Sequence, residues 1–137
     1  MTPPPPTGTT EVLTDDECWV LLASTDVGRL ALRSGDDIDL IPVNFLATDR
    51  LVYFRSAPGT KMVELTNAPR VAFEADGRDG ARRWSVTIKG TAQRLAFDSE
   101  IEASGIQRLA SLEPTEKFNY VRITPHSVSG RRFASVR

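Results

Sequence analysis

The chain has 137 residues, 40% of them hydrophobic and 26% charged, and its 17 basic and 18 acidic side chains leave a formal net charge of −1. That length suits one domain with a proper core, and the near-neutral balance gives no global electrostatic support for nucleic-acid binding. A single Cys and a single His exclude a disulfide framework and a zinc site of the usual kind.

Met1–Thr10 reads as a polyproline-type leader outside the fold, because Pro3–Pro6 have no amide donors and a fixed φ. It lacks the basic cluster and apolar core of a signal peptide. No later apolar run approaches the roughly 20 residues of a membrane span, so a cytoplasmic protein without membrane contact is expected. Residues 11–137 then form one domain. Thr14-Asp15-Asp16-Glu17 has the capping-box pattern and starts a helix that ends near Ser24. Cys18, with no basic neighbour to activate it, reads as a small core residue. Val27–Arg33 and Ile38–Leu46 alternate as strands around the turn Ser34-Gly35-Asp36-Asp37. Pro42 cannot donate to a ladder, so one side of that second strand must face an edge, a bulge or a ligand. Asn44, on the same face, either bonds a backbone loop or reads a ligand edge.

Leu51–Asn67, LVYFRSAPGTKMVELTN, is the stretch around which the chemistry gathers. A strand breaks at Ala57-Pro58-Gly59 and reopens at once as a helix carrying Thr60 and Lys61 in its first turn. Unpaired backbone N–H groups and partial positive charge at a helix start attract an anion. Arg55, Ser56, Thr60 and Lys61 add two cations and two hydroxyls there, which makes a candidate phosphate seat. An ordinary strand–loop–helix link with solvated basic residues is the other reading. Further on, Arg70–Ala75 is a strand, Asp76–Gly80 a turn, and Arg83–Leu95 a long strand with a bulge or close approach at Gly90. Trp84 reads as a core or interface anchor, or as a cofactor contact. Ser99–Leu112 reads as a helix, Phe118–Ile123 and Phe133–Val136 as strands, and His126 as an exposed turn residue. Hairpin-length links between six or seven strands, with helices that do not alternate with them, predict a mainly β fold, an antiparallel sheet closed or half closed into a barrel with flanking helices.

In order and spacing the chain resembles the pyridoxamine 5′-phosphate oxidase-like, FMN-binding split-barrel family, in particular its short bacterial members. The carriers are Glu17-Cys18-Trp19, Val27-Gly28-Arg29-Leu30-Ala31, Ile41-Pro42-Val43-Asn44, Val52–Lys61, Pro69-Arg70-Val71 and Trp84–Ala92. The resemblance implies an antiparallel split β-barrel. It also implies a flavin phosphate held by Arg55, Ser56, Gly59, Thr60 and Lys61, and a ring lying along Pro42, Val43 and Asn44. Trp84 or Ser85 of a second copy would complete the pocket, so a homodimer is implied as well. Pyridoxamine-phosphate oxidases proper carry Arg at the position of Asp39, Lys at that of Asn44, and an Arg-Leu-x-Pro ending. Gly130-Arg131-Arg132-Phe133 does not match that ending, so this particular oxidation is not expected.

The expected function is a flavin (FMN)-dependent oxidoreductase acting on a small molecule. Because flavin supplies the redox chemistry, the scarcity of His and Cys is no objection, and no residue stands out as a catalytic acid or base. The 8-hydroxy-5-deazaflavin coenzyme could use the same pocket. The alternatives outside catalysis are a module that stores or senses flavin or haem, and an interaction protein working through its Pro-rich leader.

Overall fold

Three tight turns organise the sheet in this computed structural model, which describes residues 10–56, 60–96, 98–106 and 119–134. Gly35-Asp36 joins β2 (Val27–Ser34) to β3 (Asp37–Thr48), and Gly80-Ala81 joins β5 (Arg70–Asp79) to β6 (Arg82–Arg94). Between β3 and β4 (Leu51–Ser56), Asp49 and Arg50 both have positive φ, 54° and 58°. Two consecutive left-handed residues give the turn a twist that matches the right-handed twist of the flanking strands.

The seven strands run in the order β1-β7-β4-β3-β2-β5-β6, all neighbours antiparallel, and β7 (Asn119–Ala134) also pairs with β6. That extra pairing closes every strand except β1 (Thr10–Val12) into a barrel. β7 pairs with β4 through Asn119–Ser56 to Ile123–Val52, with β1 through Arg131–Val12 to Phe133–Thr10, and with β6 from Val121 to Ala134. Closure is incomplete on one side. β3 pairs with β2 from Asp37 to Asn44, whereas its ladder with β4 covers only Phe45 to Thr48.

Period-2 alternation fills the interior with Leu30, Leu32, Phe45, Phe54, Phe73, Trp84, Val86 and Ile88, each no more than 2% exposed. Phe45 and Phe73 meet edge to face, centroids 4.9 Å apart at 71°. Helix α1 (Asp15–Leu22) buries Cys18 and Leu22 in this core. Its start is held by the expected capping box, with Glu17 N donating to Thr14 Oγ1 at 3.2 Å and Thr14 N to Glu17 Oε1 at 2.9 Å. Helix α2 (Thr60–Asn67) adds Leu65 and, in part, Met62. Helix α3 (Asp98–Ser104) belongs to a second, smaller cluster in which Tyr53, Leu95 and Ile106 are buried, with Ile101, Leu46 and Tyr120 packed around them.

Several expectations are revised. The turn expected at Asp76–Gly80 is mostly ladder, because β5 pairs with β6 as far as Asp79–Arg82. The two short strands expected near the C-terminus are one, β7, running through Ser129-Gly130-Arg131-Arg132. Thr10 belongs to β1, opposite Phe133, so the fold begins inside the expected leader, whose residues 1–9 lie outside the described ones. The described part of the late helix stops at Ser104, before Gly105 at φ 78°, and residues 107–112 lie outside. The irregularity expected at Gly90 is present as a register shift after Lys89. No helix among the described residues is long and apolar enough to cross a membrane.

Candidate functional site

The barrel forks where β3 and β4 part. Phe45–Phe54 is their last pair, and beyond it β3 carries Asn44, Val43 and Pro42 while β4 carries Arg55 and Ser56. Phe45 N donates to Asp26 O at 2.9 Å, towards the β2 side. Main-chain groups alternate sides along a strand, so those of Ile38, Leu40 and Pro42 turn to the open side of the fork. Pro42 offers only its carbonyl there. Ile38 and Leu40 are 72% and 68% exposed, unusual for aliphatic residues in a strand.

Four of the expected site residues, Pro42, Asn44, Arg55 and Ser56, thus flank one fork. Asn44 is buried, and its Nδ2 donates to Asp26 O at 3.3 Å, the backbone-loop role that was one of its two readings. Its buried Oδ1 has no hydrogen-bond partner among the described residues. Thr60 and Lys61 open α2, whose first turn carries no acidic side chain to offset the positive end of the helix dipole. Gly59 and the side chains of Thr60 and Lys61 lie outside the described residues.

The other expected residues are placed differently. Val43 faces the barrel interior at 5% exposure, and its main-chain groups turn to β2 opposite Gly28, away from the open side of the fork. Trp84 is also interior, 2% exposed, and packs so closely on Gly77 that a Cβ there would stand 2.9 Å from the indole. This corrects the expectation that its ring covers a cofactor. Ser85 points outward on β6, which is separated from β3 by β2 and β5. Three strand spacings, roughly 14 Å, keep Ser85 from the fork of its own protomer.

A charged cluster escaped the sequence reading. Arg29, cross-strand from Pro42 on one side and Glu74 on the other, bonds Glu74 Oε1 at 3.1 Å and Asp76 Oδ1 at 3.4 Å. Burial, and then the neighbouring Asp76 charge, push the Glu74 carboxyl above its usual range despite Arg29. Glu74 and Asp76 two apart on one face were visible in the sequence; the register that brings Arg29 to them was not.

Nucleophilic and metal chemistry find little support. Burial raises the pKa of the Cys18 thiol, and Asp15 and Glu17 raise it further, which keeps it protonated and inert. His126 is exposed, as expected, but lies within β7 with Nε2 2.6 Å from Thr91 Oγ1. The described residues contain no group of three His, Cys, Asp or Glu able to hold a metal ion. What the fork offers is an open strand edge beside a cation and a helix start, an arrangement suited to a flat ring with an anionic tail.

Comparison with known proteins identifies the fold and the family. A Corynebacterium glutamicum protein described as a proposed pyridoxamine 5′-phosphate oxidase superposes with a TM-score of 0.83 at 35% identity, covering 92% of this chain and 99% of the other. The FAD binding protein from Mycobacterium smegmatis superposes with a TM-score of 0.76 at 34% identity, covering 91% and 99%. An uncharacterized Mycobacterium tuberculosis protein, Rv0080, is 32% identical over 130 residues, 88% of this chain and 83% of its own length. The model of the pyridoxamine 5′-phosphate oxidase family matches residues 14–132. The chain is a split barrel and belongs to that family.

Proposed function

We propose that the chain binds FMN in the β3–β4 fork of a homodimer and acts as a flavin-dependent oxidoreductase on a small molecule. The observation that carries this reading is the fork itself, where β3 loses its second neighbour beside Arg55 and the start of α2. The FAD-binding relative at 34% identity supports a flavin-type ligand. Arg55, Ser56 and the first turn of α2, with Lys61, would hold the phosphate through charge-assisted hydrogen bonds. The edge of β3 at Leu40–Asn44 would line the ring. A bound flavin would supply hydride or electron transfer, which asks the protein only to bind, orient and shield it.

The outer face supports the homodimer reading. Ile38 and Leu40 are exposed on β3, and Ser85 can approach a ligand in the fork only from a second copy. Pyridoxamine phosphate suits the site poorly. Asn44 brings an uncharged amide tied to Asp26 O, and Asp39 brings an acid where an anionic substrate needs cations.

FMN titration of the purified chain, followed by flavin fluorescence, is the direct test. Arg55→Ala combined with Lys61→Ala removes two charge-assisted contacts of about 1.5–3 kcal/mol each. FMN affinity should fall by roughly a hundredfold or more with the circular dichroism spectrum retained. Equal affinity in the double variant, or no FMN binding by the parent chain, would overturn the assignment. Bleaching of the bound flavin by a reduced nicotinamide donor, followed by return of colour with a substrate, separates an oxidoreductase from a storage module. The deazaflavin coenzyme, titrated in parallel, decides between the two rings.

A further inference from the structure

We propose that a cleft between α2 and the β6–β7 pair is a second binding site, for a small monocarboxylate with a compact apolar body. It is independent of the fork and of the flavin reading. The cleft has a volume of about 270 Å³, near the small end of ligand pockets. Its floor is Met62, Leu65, Ala92 and Val121, all part of or packed on the barrel core. Met62 and Leu65 stand three apart on one face of α2, so the cleft marks the place where this helix stoppers the barrel incompletely. Ala92 N donates to Pro69 O at 2.8 Å, which ties the chain leaving α2 to the strand that forms the opposite wall.

The rim decides the chemistry. The Thr66 hydroxyl donates to Met62 O at 2.9 Å, and Gln93 Oε1 accepts from Arg122 Nη2 at 3.0 Å. Arg122 is in turn paired with Glu100 at 3.6 Å. Gln93 turns with Arg122 to the other face of β6, whereas Arg94 shares the face of Ala92, lines the cleft and has no ion-pair partner among the described residues. A planar fork of donors above an apolar floor matches a carboxylate with a hydrocarbon body. A bare inorganic anion would satisfy the rim and leave the floor in contact with water. A neutral apolar molecule would fill the floor and leave the guanidinium without an acceptor.

The test is an amide NMR titration of the full chain with benzoate and hexanoate as probes and benzamide as the uncharged control. Thr66 and Arg94 are both exposed, so Arg94→Gln and Thr66→Phe alter the rim without touching the core. Saturable shifts at Leu65, Ala92 and Gln93 are expected with the two acids. Affinity should weaken about tenfold for Arg94→Gln and for benzamide, and be lost in Thr66→Phe, whose ring occupies the cleft. Shifts that persist with saturating FMN keep this site distinct from the fork. The proposal is overturned if neither acid gives saturable shifts, if both variants bind as the parent does, or if FMN displaces the probes.

Discussion

The two helix-stoppered regions of the barrel are built on opposite plans. Around α1, polar groups are committed to one another. Arg132, on β7, bonds Glu11 of β1, Glu17 of α1 and Asp79 of β5 at 2.7–3.2 Å, Arg82 adds a second contact to Glu11, and Arg50 pairs with Asp16. Beneath them Cys18 and Leu22 are completely buried, and Gly130 lies so close that a Cβ would stand 2.6 Å from Cys18 Sγ. Around α2, Leu65 is buried but Met62 only partly so, Val63 is 60% exposed, and the first turn has no acid to answer the helix dipole. Strand β3 loses its outer partner near the same helix. The described multi-partner ion-pair cluster is concentrated at one end, and the open edge of β3 at the other.

The largest effect expected from this contrast is in the core plugs. Leu22→Ala should cost about 3–5 kcal/mol in denaturant unfolding and Leu65→Ala about 2, because the cost of a large-to-small change depends on how tightly the site is enclosed. Equal losses would break the comparison. Next comes Gly130→Ala, whose methyl group must displace Cys18 or bend β7; overpacking of this kind costs about 1–3 kcal/mol. A neutral outcome would mean that the α1 end is looser than the 2.6 Å approach implies.

The smallest effect is in the pH dependence, and it has two signs. The Glu11 carboxyl is held below the ordinary glutamate value of 4.5 first by its hydrogen bond to Arg132, and Glu17 by its bonds to Thr14 and then by Arg132. Their contribution is therefore present above 4.5 and is lost as pH falls through their lowered values. Glu11→Gln with Glu17→Gln should flatten the acid limb of a stability profile. Glu74, raised by burial and by Asp76, works the other way. Its contribution is complete below 4.5 and is lost as pH rises through its raised value, so Glu74→Gln should level that decline. Parallel profiles for parent and variants, by thermal melts between pH 3 and pH 8, would remove electrostatics from the contrast.

Local signals carried much of this to the sequence level. Thr14 and Glu17 announced the start of α1 because a capping box is complete within four residues. Pro42 announced an open strand side because the missing N–H is a property of the residue itself. Where the sequence misled, a distant partner had overruled local composition. Asp76-Gly77-Arg78-Asp79 has turn chemistry, yet it is strand because β6 pairs with it and Trp84 occupies the space above Gly77. Ser129-Gly130-Arg131 reads as a break, yet Gly130 is there to clear Cys18. Trp84 was legible as a core anchor on one face with Val86 and Ile88, and its other reading, as a cofactor contact, came chiefly with the family resemblance. The fork residues Pro42, Asn44, Arg55 and Ser56 were legible as candidates, but their meeting depends on where the β3–β4 ladder stops, and that is set by register.

The single long strand β7 has a consequence for how the barrel comes together. Glu11 and Arg132 are 121 residues apart in sequence, and the contacts that close the barrel, to β6 and β4, and the pairing with β1 all wait for β7. The hairpins β2–β3, β3–β4 and β5–β6 are local and can form early, whereas β7 must reach back across a longer loop to β6 and a longer one still to β4 before the barrel closes. Refolding is therefore governed by the docking of β7, on the millisecond-to-second scale of non-local β topologies. Until then β4 and β6 present bare edges, and this is the interval in which the chain is most exposed to pairing with another molecule.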